Sequence, residues 1–141
     1  MELIEWVKAR LDGSVEPLGT KAFDLPGLRV EPILNTHINW LANWKKLLRK
    51  EDLSALDASI AGDAGSCAMG IWLVNARSRI GASLQYARVL QRHEEFHQLA
   101  QLIVTLQAER QFTEVLELSR SDLPDAILGL AEALEDLKGC M

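Results

Sequence analysis

Residues 82–109, with the sequence ASLQYARVLQRHEEFHQLAQLIVTLQAE, form the longest helical pattern in the chain. Apolar side chains recur there at spacings of three and four residues, which is the period of an amphipathic α-helix. The apolar side consists of Tyr86, Val89 or Leu90, His93, Phe96 or His97, Ala100, and Ile103 or Val104. The pattern predicts a long core helix that carries two imidazoles, His93 and His97, in its buried face.

The chain N-terminal to this helix predicts three further helical segments. A short helix is expected at residues 2–11. A second begins near Pro32 and has an apolar stripe formed by Leu34, His37, Leu41, Trp44 and Leu48. A third, short and buried, is expected at residues 67–75 with Ser66 as its N-cap, and a strand is the alternative that periodicity alone leaves open there. His37 therefore also falls on a stripe that faces the core.

The C-terminal part of the chain predicts two more helical segments. Residues 112–118 continue the helical pattern, and a break is expected at residues 121–124 because proline is unfavourable inside a helix. Ser121 is the expected cap of a last helix over residues 122–137, with Gly139 just beyond its end. Since no alternating strand pattern occurs, the fold class is all-α. The architecture predicted is an antiparallel four-helix bundle with a short extra N-terminal helix and arm.

Residues 1–30 differ from the bundle expected at residues 31–141. Five helix breakers lie between Asp12 and Leu28: Gly13, Pro17, Gly19, Pro26 and Gly27. We call residues 12–28 the arm. Two interpretations stay open: the arm contacts a partner or a second copy of the chain, or it straps an open face of its own bundle.

Composition excludes several classes of partner. The chain has 141 residues and a net charge of −5 with no basic block, which argues against nucleic acid. The longest apolar run, residues 68–74, is too short to cross a membrane. Charged residues interrupt the first ten positions, so no signal peptide is expected. Two cysteines are too few for a disulfide framework, and the expected location is the reducing cytoplasm.

His93 and His97 are spaced so that both imidazoles point the same way from one helix. They are either two core histidines with ordinary hydrogen-bond partners or two ligands of one metal ion. His37 and Cys67 lie on other buried segments of the same small bundle. Three imidazoles and one thiolate complete a tetrahedral set that favours Zn²⁺ over magnesium or calcium.

Three spaced blocks of this sequence resemble the chemoreceptor zinc-binding domain, the CZB family of bacterial signalling proteins. The blocks read His-Ile-Asn-Trp at residues 37–40, Cys-Ala-Met-Gly-Ile-Trp at 67–72 and His-Glu-Glu-Phe-His at 93–97. The resemblance implies that His37, Cys67, His93 and His97 bind zinc, with Trp40 and Trp72 in the surrounding shell. It also implies zinc-dependent regulation of chemoreceptors or diguanylate cyclases, oxidant sensing through Cys67 as a redox switch, and homodimers.

Three function classes follow from these observations. The leading hypothesis is a zinc-binding sensory or regulatory module, not an enzyme, that acts on a signalling output protein in trans. The second is an interaction bundle with a permanent structural zinc. The third is a metalloenzyme or a di-iron bundle, for which three histidines and one Glu-x-x-His pair are too few ligands.

Overall fold

The computed structural model of the protein describes residues 2–14, 16–19, 23–39 and 67–141. These residues are mainly helical and contain no β-strand, so the predicted all-α bundle is confirmed. In chain order the helices are α1 (Leu3–Leu11), α2 (residues 30–39), α3 (Ala68–Ile80), α4 (Leu84–Ala108), α5 (Phe112–Glu117) and α6 (Leu123–Cys140). Leu41, Trp44, Leu48 and Ser66, named in the sequence analysis, lie outside the described residues.

The core is built on α4 and α6, which pack along each other, and α1 packs on α6. The apolar period of each helix explains the contact, because residues three and four apart share one face. On α6 the predicted face is the buried one: Ile127, Leu130, Leu134 and Leu137 are at most 1% exposed. α1 contributes Trp6, whose indole is buried although the sequence pattern did not assign it to the core.

The predicted break before α6 is wrong, because the backbone stays helical from α5 into α6. Residues Leu118–Asp122 form a π-helical turn, and Pro124 follows in the first turn of α6. Proline has no backbone N–H to donate, which is tolerated in a first turn and costly in a helix interior. Ser121 is exposed and does not cap α6, whose N-cap position is Asp122.

Two further helix ends differ from the sequence prediction. The N-cap of α3 is Cys67, so the sulfur lies at the start of the helix, and the helix continues to Ile80. Gly139 is not a helix stop, because α6 includes it and ends at Cys140. Helix ends depend on local caps more than on apolar period, which is why the sequence located the helices better than their ends.

The described residues of the arm lie against the chain's own core. Its leucines Leu18, Leu25 and Leu28 are buried. The indole Nε1 of Trp6 donates to the carbonyl of Glu16 at 3.0 Å.

Among the described residues, no helix is both long and apolar enough to span a bilayer.

Candidate metal centre

Three helices deliver the four predicted metal ligands to one place. His37 lies on α2, Cys67 is the N-cap of α3, and His93 and His97 lie one turn apart on α4. One donor atom from each side chain lies within 4.8 Å of all the others. We call these four residues the donor cluster. They are positioned to coordinate a single metal ion.

The distances inside the donor cluster are short. The Sγ atom of Cys67 lies 3.6 Å from Nε2 of His37. The Nε2 atoms of His93 and His97 are 3.1 Å apart. The ring centroid of His37 lies 5.4 Å from that of His93 and 5.6 Å from that of His97. The three imidazoles therefore converge on one point with the sulfur beside them.

A backbone contact fixes the orientation of the His37 ring. Its Nδ1 lies 2.8 Å from the carbonyl oxygen of Ile33, one turn earlier on α2. A carbonyl can only accept, so Nδ1 carries a proton, and in the neutral ring Nε2 is the nitrogen that offers a lone pair to a metal. Metal-ligating histidines commonly donate their second ring nitrogen in this way. The Nε2 atom of His37 is the one that faces Cys67.

Burial differs across the donor cluster. His37 and His93 are buried, at 3% and 1% exposure, whereas Cys67 and His97 are half-buried. The ring of Phe96 packs edge-on against His37, with centroids 4.9 Å apart. The site thus has an apolar inner wall, and Cys67 and His97 form its less buried side.

The histidines strongly stabilise the thiolate form of Cys67. Partial burial raises the pKa of this thiol, but hydrogen bonding with the imidazoles of His37, His93 and His97 outweighs it and lowers the pKa from 9.0 to about 3. Burial lowers the pKa of His93 below 6.5, although its hydrogen bond with Cys67 opposes that shift. Both shifts favour the protonation states that bind metal, a thiolate and a neutral imidazole.

The donor cluster suits a tetrahedral zinc site in its chemistry and in two of its donor separations. With bonds of about 2.0–2.1 Å to nitrogen and 2.3 Å to sulfur, neighbouring donors in a tetrahedron are about 3.3–3.6 Å apart. The two donor separations of 3.1 and 3.6 Å are close to those edges. One thiolate with three imidazoles is a donor set that Zn²⁺ prefers and that hard cations do not.

The resemblance implies two further residues, Trp40 and Trp72, in the shell around the site. Trp72 is buried on α3, and its Nε1 donates to the carbonyl of Pro26 at 2.8 Å. Trp40 lies outside the described residues. Glu94 is exposed, and Glu95 pairs with Arg92 at 3.0 Å on the helix surface. Cys140 is an exposed free thiol at the end of α6.

Two contributors to the site were not found from the sequence. The carbonyl of Ile33 holds the His37 ring, and the turn at Pro26 and Gly27 contacts Trp72. A backbone carbonyl has no residue-type signature, so the first had no signal. The Pro-Gly pair predicts a turn, but nothing local predicts what the turn touches.

The comparisons with known proteins agree with this geometry. Residues 37–104 match the family described as the chemoreceptor zinc-binding domain. The match begins at His37 and includes every member of the donor cluster. Comparison with curated proteins and with solved structures finds no match.

Proposed function

We propose that this chain is a sensory module that binds one Zn²⁺ in its donor cluster and regulates a signalling partner in trans. Its residues 37–104 belong to the chemoreceptor zinc-binding domain family. The observation that carries the proposal is the convergence of four donor atoms from three helices within 4.8 Å. An ion held there links α2, α3 and α4. Metal occupancy therefore biases how these helices pack.

The donor set supports binding rather than catalysis. Four protein ligands fill a tetrahedral sphere, whereas catalytic zinc sites keep one position open for water or substrate. When bound, the metal supplies a positive charge that keeps the Cys67 sulfur as a thiolate. We therefore assign the site to sensing or regulation and not to an enzyme.

The position of the core supports a sensor over a permanent structural zinc. α6 and α1 pack together without supplying a donor atom to the cluster, and the apolar face of α6 is fully buried. A bundle with such a core has apolar burial that does not depend on the metal. A sensor needs two folded states that differ in metal affinity, and a folded metal-free state meets that requirement.

The ligand role of Cys67 is tested with a pair of cysteine variants. The parent, Cys67→Ala and Cys140→Ala proteins are titrated with zinc against a chromophoric chelator. We expect one zinc per chain in the parent and in Cys140→Ala, and a sharp loss of affinity in Cys67→Ala with helical circular dichroism retained. Equal affinity in Cys67→Ala and the parent would contradict the proposal.

Thermal unfolding with and without a strong chelator separates sensing from a structural zinc. We expect the metal-free protein to unfold cooperatively at a lower midpoint. Loss of all cooperative unfolding after chelation would instead assign the zinc a structural role.

We further propose that oxidants, hypochlorous acid among them, act on this site through Cys67. Cys67 is only half-buried, and we expect a small oxidant to reach its sulfur. Transfer of oxygen converts thiolate and hypochlorous acid into sulfenic acid and chloride, which balances atoms and charge. A neutral sulfenic acid is a poorer zinc ligand than a thiolate. One equivalent of oxidant should therefore release zinc from Cys140→Ala as it does from the parent, and no release from either would contradict this part.

To reach a partner, a change at Cys67 has to alter a surface close to it. α3 begins at Cys67 and exposes two large apolar side chains, Ile71 at 52% and Val74 at 69%. We propose that this face forms a homodimer, and that the dimer acts in trans on a chemoreceptor or diguanylate cyclase type of protein in the cytoplasm, where thiols stay reduced. Light scattering should give twice the chain mass of 15.7 kDa. A Val74→Glu variant should give the single-chain mass, and an unchanged mass would argue against this face.

A further inference from the structure

The arm forms a tight turn directly over Trp72. Leu25 and Leu28 exchange two backbone hydrogen bonds, of 3.0 and 2.9 Å, around Pro26 and Gly27. The Pro26 carbonyl at the corner accepts the indole proton of Trp72 at 2.8 Å. The turn is therefore fastened to the middle of α3 by a side chain that is only 8% exposed.

Gly27 allows the backbone conformation of this turn. Its φ is +78°, in the left-handed region that favours glycine, as the second corner of a type II turn requires. A Cβ at this position would lie 3.5 Å from Nε1 of Trp72 and 3.8 Å from its Cδ1. The backbone of the turn thus lies in contact with the indole, with no side chain between them.

The same part of the arm is fastened to the start of α2. The carboxylate of Asp24 accepts the backbone N–H of Val30 at 3.0 Å, at the first helical residue of α2. In the other direction, the Glu31 carboxylate on α2 accepts the backbone N–H of Leu18. Charged acceptors at a helix N-terminus satisfy its unpaired donors and suit its dipole.

The arm therefore bridges the two helices that carry half of the donor cluster. Val30 precedes His37 by about 10 Å along α2, and Trp72 follows Cys67 by about 7 Å along α3, at 1.5 Å per residue. The arm residues that make these attachments, Asp24 and Pro26, lie outside residues 37–104, the region that matches the family. Any shift of α2 against α3 that separates His37 from Cys67 also strains the Asp24 and Pro26 attachments.

We infer that the docked arm and the donor cluster are energetically coupled, with Trp72 as the positioning residue. The arm holds α2 and α3 in the arrangement that brings Nε2 of His37 to the sulfur of Cys67. Coupling between two sites is reciprocal, so metal binding must in turn hold the arm docked. The inference rests on the proposed zinc binding and adds the arm as the segment that responds to it.

The test compares two tryptophan variants that lose the same group. Trp72→Phe removes the indole donor to Pro26, and Trp6→Phe removes the indole donor to Glu16, at the other end of the arm. We expect zinc affinity to fall about three- to fivefold in Trp72→Phe, the factor set by one lost hydrogen bond, and to stay unchanged in Trp6→Phe. Asp24→Ala, at a half-buried position, should lower the affinity without disturbing the core.

Amide exchange supplies a second measurement, on the arm itself. In the full-length ¹⁵N-labelled parent, zinc should slow exchange at Leu25, Leu28 and Val30, and the slowing should be smaller in Trp72→Phe. If zinc binding depends on Cys67 but does not slow exchange at these amides, the coupling between the arm and the donor cluster is overturned and the proposed function is not. Equal affinity losses in the two tryptophan variants would also overturn the coupling. Absence of Cys67-dependent zinc binding in the parent would overturn the proposed function, and this inference with it.

Discussion

The Nε2 atoms of His93 and His97 lie 3.1 Å apart on successive turns of α4. α4 is the longest helix among the described residues, and its 25 residues are anchored at the start by Ser83, whose side chain accepts the N–H of Tyr86. The helical pitch of α4 thus fixes the relative positions of two of the four donor atoms. α2 and α3 have to bring the other two to them.

Replacing His97 by alanine should weaken zinc binding by more than about 100-fold. Loss of even an outer-shell partner of a metal ligand typically costs 10–100-fold, and His97 supplies one of four donor atoms. The side chain is only half-buried, so the fold should survive. Competition with a chelator measures the effect, and Gln98→Ala, at the exposed next position, is the matched control. Comparable affinities for the two variants would remove His97 from the site.

Acid should destabilise the metal-free protein. The folded-state pKa of Cys67 is about 3 against 9.0, and that of His93 lies below 6.5. At a pH between the folded-state and the unfolded-state pKa of either group, the unfolded chain binds more protons than the folded one. The free energy of unfolding therefore rises with pH. The His93 contribution accumulates below pH 6.5, and that of Cys67 accumulates between about 3 and 9.0.

Urea midpoints of metal-free protein, measured from mildly acidic to mildly alkaline pH, check this prediction. The midpoint should rise across the whole range in the parent. In Cys67→Ser the rise above neutral pH should be smaller, because the hydroxyl does not titrate there. A parent midpoint that falls with increasing pH would contradict the predicted sign.

Removing the metal should loosen the protein locally rather than everywhere. The donor cluster joins α2 and the start of α3 to α4, whereas α6 and α1 make no contribution to it. Hydrogen exchange in the presence of a chelator should therefore increase in residues 30–39 and little in residues 123–140. A uniform increase in both segments would show that the metal is required for the whole fold.

Two glycines should respond to alanine with opposite signs. Gly129 lies inside α6, where an added Cβ would meet only the flexible Arg92 side chain, at 3.5 and 3.6 Å. Since alanine is favoured over glycine in a helix by about 1 kcal/mol, Gly129→Ala should raise the free energy of unfolding by about 0.5–1 kcal/mol.

Gly81, at the end of α3, has no such room. A Cβ there would overlap the carbonyl oxygen of Arg77, so Gly81→Ala should lower the free energy of unfolding by about 1–3 kcal/mol. Urea denaturation of both variants beside the parent measures the difference. If Gly81→Ala is as stable as Gly129→Ala, the contact with Arg77 does not constrain this position.

Periodicity in the sequence was sufficient to locate the helices and their buried faces. The buried residues of α6 and the three histidines on apolar stripes are where the pattern placed them. It was insufficient for the junction before α6. There a π-helical turn precedes Pro124, and the chain stays helical in spite of the proline. Such a turn depends on packing between α4 and α6, which no local pattern contains.

By itself, the sequence determined the all-α class, the pairing of His93 with His97 on one helix face, and the residue types that suit zinc. These follow from helical pitch and side-chain chemistry, which are local properties. Only the tertiary structure decided that His37 and Cys67 meet that pair, that the Ile33 carbonyl orients the His37 ring, and that the arm lies on Trp72. Those contacts join residues on different elements or involve backbone groups that have no signature in the sequence.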